Sequence, residues 1–156
     1  KYWEEAKSKL IKTGDTTFLN KFKRESLNSP LKKNLRLIID LFSINKLSLI
    51  IEEMEMNPVF VHSLKKMLSA SPLSVLTSYH MLQMPEIFLS VKEALKIEYR
   101  FTSRAQEYTD FQEGIRSMII DKDRNPIWKY PNIEEVPIQE VFDLLKPLSS
   151  SSELKI

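Results

Sequence analysis

A few groups of residues have types and spacings that could support chemistry. Asp121-Lys122-Asp123-Arg124-Asn125 reproduces the first three ligand positions of a calcium-binding helix-loop-helix loop. Such a loop also needs a glycine at its sixth place, for a sharp turn, and a bidentate glutamate at its twelfth. Those places hold Pro126 and Asn132, so the run reads as a surface turn. His62 and His80 are the two histidines, and neither has a carboxylate or second histidine at i+4 spacing. A zinc site would have to gather three or four ligands from distant segments. Structural histidines are the simpler reading.

Two further patterns are electrostatic. Glu98, Arg100 and Arg104 could form a charged ladder on one helix, and Glu113 and Arg116 are an i, i+3 pair on the next. Such pairs usually belong to solvated or inter-helix faces. Trp128-Lys129-Tyr130 has the make-up of a base-stacking patch, but one such cluster is weak evidence for it, and a loop anchor packing on the helices is the safer reading. No serine lies in a glycine-framed turn that would expose it as a nucleophile, and no source of an oxyanion hole is evident.

Glycine usage sharpens these exclusions. The 156 residues contain two glycines, Gly14 and Gly114. Phosphate-cradling loops, dinucleotide fingerprints and nucleophile elbows need glycines in clusters, because the backbone must turn tightly or approach its ligand closely. The absence of cysteine removes disulfides, thiol nucleophiles and thiolate metal sites. Net charge is +2, but residues 1–36 carry ten basic and four acidic side chains. That opening could meet phosphate or an acidic partner; lysine-rich solvated helix faces are the plainer account. No apolar run approaches the ~20 residues of a membrane span, so no membrane partner is expected. The opening Lys1-Tyr2-Trp3, without methionine, suggests a processed protein or a fragment.

The elements that would position these groups are helices. A chain of this length can bury roughly 70% of its extended surface. Asn28-Ser29-Pro30 and Ser71-Pro72 pair a capping residue with proline at the first helical position, where the missing N–H costs nothing. Leu31, Leu35, Ile38, Ile39 and Phe42 follow the first of these at helical spacing; Leu73, Leu76 and Tyr79 or His80 follow the second. Leu47, Ile50, Ile51 and Met54 form another stripe, as do Phe60, Val61, Leu64, Met67 and Leu68. Pro85 opens a long helix over about 86–107, with Ile87, Phe88, Val91, Leu95, Tyr99 and Thr102 as its expected buried stripe. Thr109 and Gln112 form a capping box for the next. Val136-Pro137 opens a last helix carrying Ile138, Val141, Phe142 and Leu145. The expected fold is all-α, with seven or eight helices in one domain over 1–148 and a polar tail over 149–156.

Ile97-Glu98-Tyr99-Arg100, Asp110-Phe111-Gln112-Glu113-Gly114-Ile115-Arg116 and Ile120-Asp121-Lys122-Asp123-Arg124-Asn125-Pro126-Ile127-Trp128 follow one another in order. With Ser71-Pro72-Leu73-Ser74 upstream and Ser151-Ser152-Glu153-Leu154-Lys155-Ile156 at the end, they resemble the C-terminal region of 3-hydroxyisobutyryl-CoA hydrolases. These are mitochondrial crotonase-superfamily enzymes of valine breakdown. The likeness is strong from about residue 65; before it, Phe42-Ser43 and Ile50-Ile51-Glu52 are the best local agreements. It implies a helical C-terminal region whose family keeps its glycine-rich oxyanion segment and catalytic acids in an N-terminal βα core. On that basis no residue here is assigned as catalytic or as a metal ligand.

By the same resemblance the partners are that core or neighbouring subunits, with an acyl-CoA as substrate and coenzyme A entering only as part of it. Lys122 matches a lysine that approaches the CoA phosphates in related hydratases, and its flanking aspartates would oppose its charge. The run Val75-Leu76-Thr77-Ser78-Tyr79-His80 departs from the family, whose helix here is more basic. Relatives also serve as structural subunits of the small mitochondrial ribosomal subunit, so contact with rRNA or ribosomal proteins through the basic opening is the alternative expectation.

Overall fold

The computed structural model describes residues 2–22 and 29–155, so Asn28 of the first expected cap lies outside the described residues. No strand occurs among the described residues. The chain divides into two compact units, 1–40 and 41–156.

In the first unit, helix α1 (Tyr2–Thr13) stops where Gly14 enters the left-handed region at φ +64, its N–H bonded to the Leu10 carbonyl at 2.9 Å. Asp15 then accepts bonds from both the N–H and the hydroxyl of Thr17, at 2.8 Å each, and so starts a 3-10 helix, Thr17–Phe22. Ser29 caps α2 (Pro30–Lys33) by accepting the Lys32 N–H at 3.4 Å. Helix α3 (Leu35–Phe42) follows, its last two residues belonging to the second unit. The apolar stripe expected to be buried here stays largely open: Leu31 is 70% exposed, and Leu35, Ile39 and Phe42 are each more than half exposed. Periodicity identifies an amphipathic face but not whether a partner covers it.

The second unit holds α4 (Leu47–Met56), α5 (Val61–Leu68), α6 (Pro72–Gln83), a 3-10 turn (Pro85–Phe88), α7 (Val91–Tyr108), α8 (Phe111–Ile115), a π-helical turn (Arg116–Ile120), a 3-10 turn (Ile133–Glu135) and α9 (Ile138–Leu145). Helix α9 packs on both α6 and α7. The shared core is Leu73, Ile97, Val136, Val141, Leu144 and Leu145, with Met81, Ile87, Phe101 and Tyr130 packed against it. Thr77 is buried among them because its hydroxyl donates to the Leu73 carbonyl at 2.7 Å.

Two sequence expectations change. The stretch 86–107 is not one helix, because Ser90 caps α7 by accepting the Glu93 N–H at 3.1 Å. Its buried side is also another face: Ile97 is 2% exposed, while Val91 of the expected stripe is 76% exposed and Leu95 and Tyr99 lie partly open. Thr109 and Gln112 form no capping box either. The Thr109 hydroxyl donates back to Ala105, the Gln112 amide donates to Gln106, and Asp110 takes the cap position of α8. After α9 the polar end is tied down, for Glu153 accepts from Arg100 at 2.7 Å and from the Leu148 N–H at 2.8 Å.

Candidate functional site

Three segments that stood out in the sequence meet at Asp110, which is 8% exposed. One carboxylate oxygen accepts the Ser71 hydroxyl and the other accepts the Lys129 N–H at 2.8 Å. Ser71 simultaneously accepts the Ser74 N–H at 3.2 Å, as the cap of α6. Nearby, the Trp128 indole N–H donates to the Ser69 carbonyl at 3.3 Å. A Cβ on Gly114 would stand 3.8 Å from the Trp128 ring, so that glycine lies under the indole but is not forced by it. Trp128 is a loop anchor.

Arg116 organises the next layer. Its guanidinium clasps the Glu113 carboxylate at 2.7 and 2.8 Å and donates to Asp121 at 2.7 Å, Asp123 at 2.6 Å and the Asn125 carbonyl at 3.1 Å. Glu113 also accepts the Ile127 N–H at 2.6 Å. The Arg116 hydrogen bonds, helped by the Ile127 N–H, hold the Glu113 carboxyl at about 2. The Asp123 carboxyl is lowered in the same way, and the Glu113 and aspartate bonds hold Arg116 more firmly charged. The π-helical turn makes this closure possible: the extra residue lets the Asp121 N–H reach the Arg116 carbonyl at 2.8 Å and brings the turn back over its own helix.

Lys122 sits at the crest of that turn. It is exposed and left-handed, with φ 57, and Arg124 is the same at φ 55. Non-glycine residues held there cost on the order of 1–3 kcal/mol each, and they persist where the surroundings over-determine them. The surroundings here are the bonds to Arg116. Both aspartates flanking Lys122 are engaged by Arg116.

The other candidates are structural. Arg100 and Arg104 form no ladder with Glu98. Arg100 pairs with Glu153, and Arg104 donates to the carbonyls of Leu144 and Lys146 at 3.0 and 2.8 Å, closing the end of α9. His80 meets Tyr79 and Phe142 edge-on, its ring centroid 5.3 and 5.7 Å from theirs, and burial lowers its pKa. A cleft of about 700 Å³ is lined by Arg104, Asp110, Lys129 and Glu140, among others. Lys129 and the Tyr130 hydroxyl both bind Glu140, at 2.8 and 2.6 Å. No group of three or more histidines or carboxylates among the described residues could hold a metal ion. No helix among them is long and apolar enough to cross a membrane.

Sequence reasoning found the Glu113–Arg116 pair but missed the reach of Arg116 to 121, 123 and 125. The alternation of acid and base along 121–124 was the available signal. Nothing local pointed to the Ser71–Asp110 bond.

Comparison with known proteins decides the relationship. The model of the enoyl-CoA hydratase/isomerase family matches residues 3–145. The chain belongs to that family. Among curated proteins it is 32% identical over 136 residues to the mitochondrial 3-hydroxyisobutyryl-CoA hydrolase of Dictyostelium discoideum, covering 85% of this chain and 36% of that protein. The Mus musculus protein of the same name is 34% identical over 112 residues, covering 70% of this chain and 29% of its own length. A crystal structure of an enoyl-CoA hydratase from Rhodobacter sphaeroides superposes with a TM-score of 0.76 at 36% identity, over 85% of this chain and 40% of that one. The chain thus spans about a third of the length of these curated relatives. Its helices are an all-α, C-terminal crotonase-type region.

Proposed function

We propose that this crotonase-type chain is the helical part of a 3-hydroxyisobutyryl-CoA hydrolase-like protein, and that it contributes to thioester hydrolysis only when joined to a catalytic core. The observation that carries this reading is the match to the Dictyostelium hydrolase over 85% of the chain, set against a third of that enzyme's length. Hydrolysis of a thioester needs donors for the developing oxyanion, each worth about 3–4 kcal/mol, and a group that directs water. The clusters around Asp110 and Arg116 hold the fold together and supply neither. The relatives' names support a mitochondrial setting, and a place in valine breakdown is part of the same proposal.

The contribution of this region is then to bind the end of the acyl-CoA far from the thioester. Binding energy gained at such a distance can be used at the reacting carbonyl. The exposure of Lys122, on a turn whose aspartates bind Arg116, supports this role for it. The face of α7 carrying Val91, Leu95 and Tyr99 is open to a partner, and the core of the same family is the partner it suits.

A chimera tests this: the first two thirds of the Dictyostelium hydrolase continued by this chain, assayed on 3-hydroxyisobutyryl-CoA. Hydrolysis above that of this chain alone is the expected result. A folded chimera without activity on that thioester refutes the reading.

The ten basic residues among 1–36 favour a second reading, a non-catalytic ribosomal subunit derived from this family. It requires co-sedimentation with mitochondrial small ribosomal subunits, reversed by salt as phosphate contacts are screened.

A further inference from the structure

Helices α2 and α3 run almost as one, because the Asn34 N–H reaches the Pro30 carbonyl at 3.1 Å and the Asn34 carbonyl takes the Ile38 N–H at 2.9 Å. At about 100° per residue, Leu31, Leu35 and Ile39 fall within an arc of about 80°. That arc is open: each of the three side chains is more than half exposed, while Asn34, Leu37 and Ile38 on the other side are half-buried. Lys32 and Arg36, both exposed, border the arc on one flank, and Lys33 lies beyond them. Arg36 bonds Asp40 at 3.1 Å, but both side chains are largely exposed, so water screens the pair and the guanidinium stays accessible.

Whatever covers this face must meet an apolar stripe and a rim of cations together. The phosphates of a nucleic acid would engage the rim and leave the stripe in water. An anionic bilayer supplies both needs across one surface, with charged headgroups at the rim and acyl chains beneath them. The charge of the whole opening agrees, since residues 1–36 carry ten basic and four acidic side chains. The sequence led to no expected membrane partner because no segment could span a bilayer; a helix lying on the surface needs no span.

We propose that α2 and α3 present an interfacial face by which the chain binds an anionic lipid surface. Leu31, Leu35 and Ile39 enter the headgroup boundary, and Lys32, Lys33 and Arg36 meet the lipid phosphates. The inference stands apart from the thioester reading, since a lipid contact requires no acyl-CoA.

The test is co-sedimentation of the chain with vesicles, either of phosphatidylcholine alone or of an equimolar mixture of phosphatidylcholine and phosphatidylglycerol. The native chain should pellet with the mixed vesicles and stay in solution with phosphatidylcholine, and added salt should weaken the binding as headgroup charge is screened. Lys32→Gln and Lys33→Gln should each weaken it about fivefold. Leu35→Ala and Ile39→Ala should each weaken it about five- to tenfold, through lost apolar insertion. All four side chains are exposed, so the variants should keep the native urea midpoint, which separates lipid contact from stability. Absence of binding by the native chain to the mixed vesicles overturns the inference, as does equal binding to both kinds of vesicle. Loss of binding in the lysine variants but not in the alanine variants reduces the contact to charge alone and overturns the interfacial face. The chimera with the Dictyostelium core should bind the mixed vesicles as well; a chimera that hydrolyses the thioester but binds no vesicles shows that protein covers the stripe, and the inference falls. Its hydrolysis, read separately, decides the thioester reading alone.

Discussion

Replacing Asp110 should cost stability in two distinguishable steps. In Asp110→Asn the remaining carbonyl can keep the Lys129 N–H, now at 2.8 Å, but the new amide N–H groups face a Ser71 oxygen already accepting from Ser74. The Ser71 O–H then has no acceptor in a buried place. One hydrogen bond to a charged group, worth about 1.5–3 kcal/mol, is exchanged for a poorer one, so a net loss of about 1–2 kcal/mol is expected. Asp110→Ala strands both the Ser71 hydroxyl and the Lys129 N–H, at about 1–3 kcal/mol each, for a total near 3–4 kcal/mol. At this chain length those figures correspond to drops in Tm of roughly 3–6 °C and roughly 8–14 °C. Urea unfolding followed by circular dichroism should show lowered midpoints at an unchanged slope. Combining Ser71→Ala with Asp110→Ala should cost clearly less than the two singles together, because each removes the same bond. An Asp110→Ala protein within about 0.5 kcal/mol of native, or strictly additive losses, would refute the assignment of Asp110 as the joint of three segments.

Leu73 is fully buried at the centre of the second unit, so Leu73→Ala should destabilise it by about 2.7–5 kcal/mol, read from the urea midpoint. The two glycines should respond oppositely: Gly114→Ala, with a negative φ and ordinary van der Waals room beside Trp128, should stabilise by about 0.5–1 kcal/mol, whereas Gly14→Ala at φ +64 should destabilise. Differential scanning calorimetry of the pair checks both signs. Two pH windows should also separate. His80 titrates lower in the folded than in the unfolded chain, so its contribution is complete above about 6.5 and is lost as pH falls below that value; His80→Phe should flatten stability there. Glu113, held at about 2 against an ordinary 4.5, loses its contribution as pH falls through that lower interval, and Glu113→Gln should remove that part of the acid dependence.

What was legible in the sequence was local. Ser29 before Pro30 and Ser71 before Pro72 cap helices as their types require, because a cap needs only a hydroxyl and an N–H three residues on. Ser90 with Glu93 offered the same signal inside the presumed long helix, but the charged and apolar pattern running through it concealed the break. The buried face of α7 was not legible. Its apolar residues occupy two sides, and hydrophobic spacing alone cannot say which side meets α9; Ile97 and Phe101 do, and Val91 does not. The family motif was readable as a pattern, yet its physical role became visible only when Ser71 and Asp110, 39 residues apart, were seen to share a hydrogen bond.

That role bears on how the family resemblance carries function. Asp110, Glu113, Arg116, Asp121 and Asp123 look like a reservoir of acid–base groups, yet each has at least one side-chain polar atom bonded within this one region. Two of them are poor proton carriers at neutral pH: the Glu113 carboxyl is ionised far below it, and Arg116 stays charged. A motif can therefore recur in sequence because it builds a turn rather than because it performs a reaction.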